Sequence, residues 1–509
     1  MLAKVLSGAL SGIDAYQVEV EVDIARGLPQ FATVGLPEGA VKESKDRVKS
    51  AIKNSGYEFP ARRITINLAP AGIKKDGAAF DLPMAIGLLS ATGLIKEEAV
   101  QRFVIMGELS LDGRVKPIRG ALPVAIAAGD WPVDGLILPR ENAREGAIAN
   151  SVPVYGVHDL GEVTAFLNGE RMIEPCSVSI PELFAATDHN GEDFAEVRGQ
   201  EQAKRALEVA AAGSHNILMV GPPGSGKTML ARRVATILPD LSFAEALETT
   251  KIHSVMGLLD EQQALITQRP FRHPHHTISD AGLIGGGSNP RPGEVSMSHN
   301  GLLFLDELPE FKKNVLEMLR QPLEDGQVTI SRATTSLTYP ATFMLVGAMN
   351  PCFCGLLGES EDSCSCTPTM IARYRRRLSG PLLDRIDLHI EVPRVQHKDL
   401  ADPVDGESSA VIRARVEAAR AIQRERLAPF NLHCNARMQA RHIRRFCALD
   451  DQGQKLLENV TDRLGLSARS YARILKISRT IADLADSEKI ATEHLAEAIQ
   501  YRGLDRKVV

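Results

Sequence analysis

The stretch Asn216 to Thr228, Asn-Ile-Leu-Met-Val-Gly-Pro-Pro-Gly-Ser-Gly-Lys-Thr, constrains the fold of this chain more than any other. Ile217 to Val220 reads as a short buried strand. It breaks into Gly221, Pro222, Pro223, Gly224, Ser225 and Gly226, and Met229 to Leu238 then reads as a helix. The glycines let backbone N–H groups close around a polyphosphate, and the helix N-terminus turns its free donors and partial positive charge towards the same anion. Lys227 would reach the β- and γ-phosphates, and the Thr228 hydroxyl would bind Mg²⁺. A chance glycine-rich loop does not carry every motif position between a strand and a helix. An α/β core built around a phosphate-binding loop is expected.

Downstream, Gly301-Leu-Leu-Phe-Leu-Asp-Glu is an apolar run ending in two carboxylates. Taken alone it is a buried strand with acids at its wet end. After a complete phosphate loop it reads as a Walker B strand, with Asp306 holding Mg²⁺ through its water shell and Glu307 polarising the attacking water. A third apolar run, Phe343 to Ala348, leads to Asn350, whose amide can hold that water against the γ-phosphate. ATP and Mg²⁺ are the expected cofactors and ATP hydrolysis the expected reaction.

A chain of 509 residues has room for roughly two to four domains. Its 44% apolar and 24% charged residues are an ordinary globular composition. No apolar run reaches the length of a membrane span, and Met-Leu-Ala-Lys-Val-Leu-Ser-Gly lacks a signal-peptide core, so a cytoplasmic protein without membrane association is expected. A net charge of −5 offers nucleic acid no global attraction, and binding would need local basic patches. Candidates are Arg332, near the turn of a hairpin-like stretch from Gln327 to Ala341, the run Arg373-Tyr-Arg-Arg-Arg, the arginine-rich helical stretch Ile412 to Arg426, and Arg441-His-Ile-Arg-Arg. For each, a solvated charged face is the competing explanation.

Seven cysteines without an export signal favour thiols or metal ligands over disulfides. Cys352-Phe-Cys354 and Cys364-Ser-Cys366 follow Asn350 directly and bracket the loop 355–363. Four thiols could close into a tetrahedral Zn²⁺ site that pins a glycine-rich loop with few apolar residues of its own. Four unligated thiols are the other reading, and the one-residue spacing, tighter than the commoner two, leaves both open. His273, His275 and His276 lack a fourth partner and read as loop residues without metal.

Towards the N-terminus, Val18 to Val22 and Ile64 to Leu68 read as strands, Glu38 to Ser55 as an amphipathic helix, and Asp81 to Leu89 and Leu122 to Ala128 as helices. Val104 to Ile118 reads as a hairpin turning at Asp112-Gly113. Through Lys75-Asp-Gly and Gly107-Glu-Leu-Ser-Leu-Asp-Gly-Arg-Val-Lys-Pro-Ile, residues 1–170 resemble the protease domain of Lon, which has a ribosomal S5 domain 2-like α+β fold. The position matching Lon's nucleophilic serine is Ala79, and that matching its catalytic lysine is Val124. A Ser–Lys dyad needs a hydroxyl and an amine in contact. The resemblance therefore implies a domain that is structural or binds partners and is not a peptidase.

Residues 171–195, rich in breakers and acids, read as a linker. From there the chain resembles the Mg-chelatase-like branch of AAA+ ATPases, carried by Phe271-Arg-His-Pro-His-His-Thr-Ile-Ser, Pro290-Arg-Pro-Gly-Glu-Val-Ser and Asn300-Gly-Leu-Leu-Phe-Leu-Asp-Glu-Leu-Pro-Glu-Phe. It implies an ATPase core over 196–395 and a helical lid over 396–509. It assigns Asn350 the sensor 1 role and makes Arg385, in Leu382-Leu-Asp-Arg-Ile-Asp-Leu, the finger that completes a neighbouring subunit's site. Arg469 best matches sensor 2, with Arg473 as the fallback. Arg332 stands where the related MCM helicases present a basic pore residue, and an insert from Thr250 to Gly287 would also reach the pore.

With the Lon-like domain in front, the whole chain resembles the YifB/ComM family of competence-associated helicases. The resemblance implies a homohexameric, ATP-dependent motor on single-stranded or branched DNA that promotes branch migration during natural transformation. Two other readings are an ATPase subunit driving magnesium insertion into a porphyrin, against which the Lon-like domain counts, and a protein remodeller that uses that domain to bind its target.

Overall fold

The computed structural model of the chain describes residues 1–503 except Lys74, Asp76, 186–190, Glu261, Ser288, Ala333, Thr334, 359–363 and 396–405. For Ala40, Arg332, Thr335 and Leu464 it describes the backbone alone. Two compact units emerge, Met1–Thr187 with Phe243–Thr267, and Asp188–Ser242 with Gln268–Val509. The division falls inside the stretch 171–195, whose two ends behave differently: Cys176 N–H bonds to Val154 O (2.7 Å) in the first unit, whereas Phe194 is buried in the core of the second. No helix among the described residues is long and apolar enough to cross a membrane.

The first unit is a mixed sheet with helices. Its strands are β1 (Leu2–Ser11), β2 (Asp14–Ala25), β3 (Gln30–Val34), β4 (Arg63–Ala69), β5 (Phe103–Ile105), β8 (Gly135–Pro139) and β9 (Val154–Val157), in the order β3-β4-β2-β1-β5-β8-β9. Alternation decides what each strand buries. Val18, Val20, Val22 and Ile24 of β2 and Ile64, Ile66 and Leu68 of β4 point into one core. The predicted hairpin is present as β6 (Glu108–Leu109) and β7 (Val115–Lys116), joined around Gly113, whose φ is +89°. The Asp81–Ala91 helix is buried on nearly every side, so its one acid needs a partner, and Arg47 Nε donates to Asp81 Oδ2 at 2.6 Å. Ala79 and Val124 meet in one apolar cluster with Val104 and Leu136.

Phe243–Thr267 follows the phosphate-loop helix in sequence yet folds with the first unit. Its Phe243–Met256 helix packs on the Ala121–Ala128 helix. Ser254 Oγ donates to the buried carboxylate of Glu145 at 2.5 Å, which also accepts from Leu122 N–H (3.0 Å) and Asn142 Nδ2 (2.9 Å). The expected Thr250 to Gly287 insert is therefore two segments: one through Thr267 is tied down by a buried polar network, and the other belongs to the second unit. Periodicity could not reveal this, because the anchoring acid lies about a hundred positions away in sequence.

In the second unit, β10 (Ile217–Val220), β11 (Phe271–Arg272), β14 (Leu302–Leu305), β17 (Met344–Met349) and β18 (Leu388–Glu391) form a parallel sheet in the order β11-β14-β17-β10-β18. Every residue of β10, β14 and β17 is buried, as expected of strands covered on both faces. Chain order reverses at β10, between β17 and β18, and the crevice beyond the carboxyl ends of such strands is where open α/β sheets bind ligands. Two small ribbons stand apart, β12 (Gly285–Gly286) with β13 (Arg291–Pro292), and β15 (Gln327–Arg332) with β16 (Thr335–Pro340). Helices Ser409–Leu427, Ala440–Phe446, Asp451–Leu464, Ala468–Leu484 and Thr492–Gln500 make the C-terminal region.

Candidate active site

β10 delivers the chain into the loop Gly221–Gly226, and the Lys227–Ile237 helix leaves it. A Cβ on Gly221 would lie 2.1 Å from the Val392 carbonyl oxygen, so only glycine lets the loop start this close to β18. Lys227 is buried, and its Nζ donates to Gly221 O (2.7 Å) and Pro222 O (2.9 Å) and lies 3.3 Å from Asn350 Oδ1. These carbonyl and amide oxygens occupy the lysine where phosphate oxygens would. Burial pulls the ammonium's pKa down, opposed by the charge of Asp306, so an anionic ligand beside it restores the charged form.

The Thr228 hydroxyl donates to Asp306 Oδ2 at 2.7 Å, which unites the two groups expected to serve Mg²⁺. Glu307 follows with φ of +51°, a left-handed backbone that a glutamate rarely adopts, and strain of this kind gathers at functional turns. Its Oε2 lies 3.1 Å from His276 Nδ1. His276, read in the sequence as a loop residue without metal, does lie in a turn; what the sequence did not show is its place beside Glu307, which follows because β11 runs parallel beside β14 and the chain beyond Arg272 emerges there.

A second group of charges gathers around the segment Ser379–Leu388. Arg385 is buried, donates to Pro381 O (2.7 Å) and pairs with the carboxylate of Glu324. Glu324 is held below its ordinary pKa by the Arg385 hydrogen bond first, with charge contributions from Arg385, Arg469 and Arg473. Asp387 pairs with Arg473 and lies 3.2 Å from His215 Nδ1. Arg469 is exposed, one turn from Arg473 on the Ala468–Leu484 helix. Of the three arginines singled out in the sequence, Arg385 pairs with Glu324 and Arg473 with Asp387, two carboxylates that the sequence did not mark as their partners.

Three family models match: one described as magnesium chelatase, subunit ChlI, over residues 193–400, its C-terminal counterpart over 406–502, and one described as subunit ChlI of Mg-chelatase over 20–142. Competence protein ComM of Haemophilus influenzae is 44% identical over 511 residues, covering 99% of this chain and 98% of that protein. YifB of Escherichia coli is also 44% identical, covering 100% and 98%. The chain belongs to the YifB/ComM family. The magnesium-chelatase 38 kDa subunit of Rhodobacter capsulatus is 25% identical over 41% of this chain and 61% of its own length. The likeness to the competence protein thus runs along the whole chain, whereas that to the chelatase subunit covers less than half of it.

YifB/ComM membership makes the protein an AAA+ ATPase of the Mg-chelatase-like type, which implies ATP and Mg²⁺ at the loop just described. The basic stretches sort themselves by partner. In the Ser409–Leu427 helix, Arg413 bonds to Thr236 O (2.9 Å), Arg415 to Glu208 (2.5 Å), Arg420 to Ala211 O (3.1 Å) and Arg426 to Asp483 (2.6 Å), so this helix, a candidate for nucleic acid in the sequence, turns these four arginines into structure and leaves Arg424 exposed. Arg441 and Arg445 instead lie over the Phe430 ring at 5.9 and 5.7 Å, and among the described residues no carboxylate pairs with Arg441, Arg444 or Arg445. Lys313, Arg373, Arg376 and Arg377 line an open groove of about 890 Å³ next to Pro309–Phe311. Arg332 ends β15, and its side chain lies outside the described residues. The sulfurs of Cys352, Cys354, Cys364 and Cys366 lie within 4.8 Å of one another.

Proposed function

We propose that this YifB/ComM-family ATPase is a homohexameric motor that translocates on single-stranded or branched DNA and promotes branch migration during natural transformation. The observation that carries the reading is likeness along the whole chain to a competence protein, together with Arg385, whose side chain is held by Glu324 and Pro381 and not by its own chain's phosphate loop. Arg385 is the finger that completes a neighbouring subunit's site, and Arg469 or Arg473 reports on the nucleotide as sensor 2.

In each subunit Lys227 and the loop N–H groups bind the triphosphate, Thr228 and Asp306 hold Mg²⁺, and Asn350 and Glu307 orient and polarise water for in-line attack on the γ-phosphorus. Held by Thr228 and Asp306, Mg²⁺ would supply positive charge to the phosphate oxygens. Arg332 and the arginines free of carboxylate partners grip the phosphodiester backbone, whose charge is the same whatever the base. Residues 1–170 serve as a Lon-like binding domain without peptidase chemistry, which the apolar surroundings of Ala79 and Val124 support. The four-cysteine tetrad holds Zn²⁺.

The test is ATP turnover with single-stranded DNA, a four-way junction, or an unfolded protein. Stimulation by DNA and unwinding of the junction are expected. Stimulation by protein alone would favour a remodeller, and no response to either would return the chelatase reading, which the partial coverage by the chelatase subunit disfavours.

A further inference from the structure

The tetrad and the phosphate loop meet through one glycine. Gly355, the residue after Cys354, has φ of +83°, and a Cβ there would lie 2.6 Å from Pro223 Cδ, inside the phosphate loop. Its N–H donates to Cys352 O (3.1 Å), so the turn that carries it is tied to the first cysteine. On the other side of Cys352 stands Asn350, the residue whose Oδ1 lies 3.3 Å from Lys227 Nζ. Tyr374, whose hydroxyl is influenced by the Asn350 backbone, is buried in the Pro368–Arg375 helix that begins just after Cys366. The cysteines therefore sit between both contacts to the nucleotide loop and the helix that backs them.

Sulfur geometry fits a metal. A zinc–sulfur bond of about 2.3 Å in a tetrahedron fixes sulfur–sulfur edges at about 3.8 Å. The Cys352–Cys354, Cys352–Cys364 and Cys354–Cys364 separations are 3.4, 3.7 and 3.7 Å. A disulfide would need about 2.05 Å. Cys354 N–H points at Cys366 Sγ (3.4 Å), a donor that stabilises thiolate sulfur. Apart from Cys352, which is buried, the tetrad is only partly covered, and Phe353 between the first two cysteines is 64% exposed, so no apolar core holds this turn in place. A metal that joins Cys352 and Cys354 to Cys364 and Cys366 supplies what packing does not.

We infer that the zinc knot braces the nucleotide site: it fixes the turn that presses Gly355 on Pro223 and aims Asn350 at Lys227, so nucleotide affinity depends on a metal that never touches the nucleotide. The inference rests on zinc filling the tetrad, and the two are separable. Zinc content, affinity for a fluorescent ATP analogue and melting temperature are measured on full-length wild type, Cys364→Ser and Gly355→Val. Wild type should carry about one zinc per chain. Cys364→Ser should lose zinc and bind nucleotide at least about tenfold more weakly, because small displacements of positioning groups carry penalties of that order. Gly355→Val should keep its zinc, since all four thiols remain, yet lose nucleotide affinity to a similar extent. Wild type without zinc overturns the metal reading. Zinc-free Cys364→Ser with wild-type affinity overturns the brace while leaving the metal, and so does Gly355→Val with both zinc and affinity intact.

Discussion

His276 Nδ1 lies 3.1 Å from Glu307 Oε2, and Glu307 stands on a left-handed backbone at the end of β14. A carboxylate engaged by imidazole is held in one direction and is not free to reach the attacking water. His276→Ala should raise hydrolysis in the absence of DNA and shrink the stimulation that DNA gives, whereas Glu307→Gln should bind ATP without cutting it. Unchanged basal turnover in His276→Ala would mean that the contact has no hold on the base.

Lys227 fills its own loop by donating to Gly221 and Pro222 carbonyls. Lys227→Ala removes the charge that meets the phosphates in the ground state, so it should abolish nucleotide binding itself, in contrast to Glu307→Gln. Equilibrium binding of a fluorescent ATP analogue separates the two, and normal binding by Lys227→Ala would refute the assignment.

Arg385 is buried against Glu324 within its own chain. If it completes a neighbour's site, Arg385→Ala should cut hydrolysis by about 10³-fold or more even with saturating DNA. Mixing Arg385→Ala with Lys227→Ala protein should restore part of it, because some interfaces then pair an intact loop with an intact finger. Glu324→Gln, which leaves Arg385 charged but loosely held, should lower turnover less than Arg385→Ala does. A mixture as inactive as its parents would contradict action between subunits.

Asp387 is buried between Arg473 and His215. Burial alone would raise its pKa, but the Arg473 charge and then the His215 hydrogen bond outweigh it and hold the carboxyl well below its usual range. A folded-state pKa below the unfolded one means that the ionised group stabilises the fold fully above the ordinary carboxylate range and less as pH falls through about 4. Asp387→Asn should cost about 3–5 kcal/mol at pH 7, since it leaves Arg473 without its counter-charge. The difference in urea midpoint from wild type should hold between pH 7 and about 5 and narrow only as pH falls below about 4, and a difference that stays constant below that would show that the carboxylate is not ionised.

Arg441, Arg444 and Arg445 have no carboxylate partners among the described residues, whereas Arg415 has two, Glu208 and Glu407. Replacing the three by glutamine should weaken DNA binding and flatten its dependence on salt, because fewer counterions are released, with little change in melting temperature. Arg415→Gln should do the reverse. Equal salt slopes for wild type and the triple variant would remove this surface from the DNA path.

The elements that local chemistry specifies were legible in the chain itself. Ile217–Val220 and Leu302–Leu305 are apolar runs that can only be buried strands, the glycines between Val220 and Lys227 permit one kind of loop, and Asp112-Gly113 marks a hairpin. These follow from period, turn preference and the φ that glycine alone adopts freely. That Lys227, Thr228, Asp306 and Asn350 lie close together follows for the same reason: each sits at the end of such a strand or at the start of the helix that follows.

Tertiary structure alone decided which residues answer those side chains. His276 meets Glu307 because β11 pairs with β14, Arg385 finds Glu324 sixty-one positions earlier in the chain, and Ser254 draws its helix to Glu145 in the first unit. Arg415 and Arg445 look alike in sequence, yet Arg415 meets the carboxylates of Glu208 and Glu407 whereas Arg445 lies over the ring of Phe430. The physical reason is common to all: backbone geometry and burial period are set by neighbours along the chain, whereas charge pairing and close approach, as of Gly355 to Pro223, are set by neighbours in space.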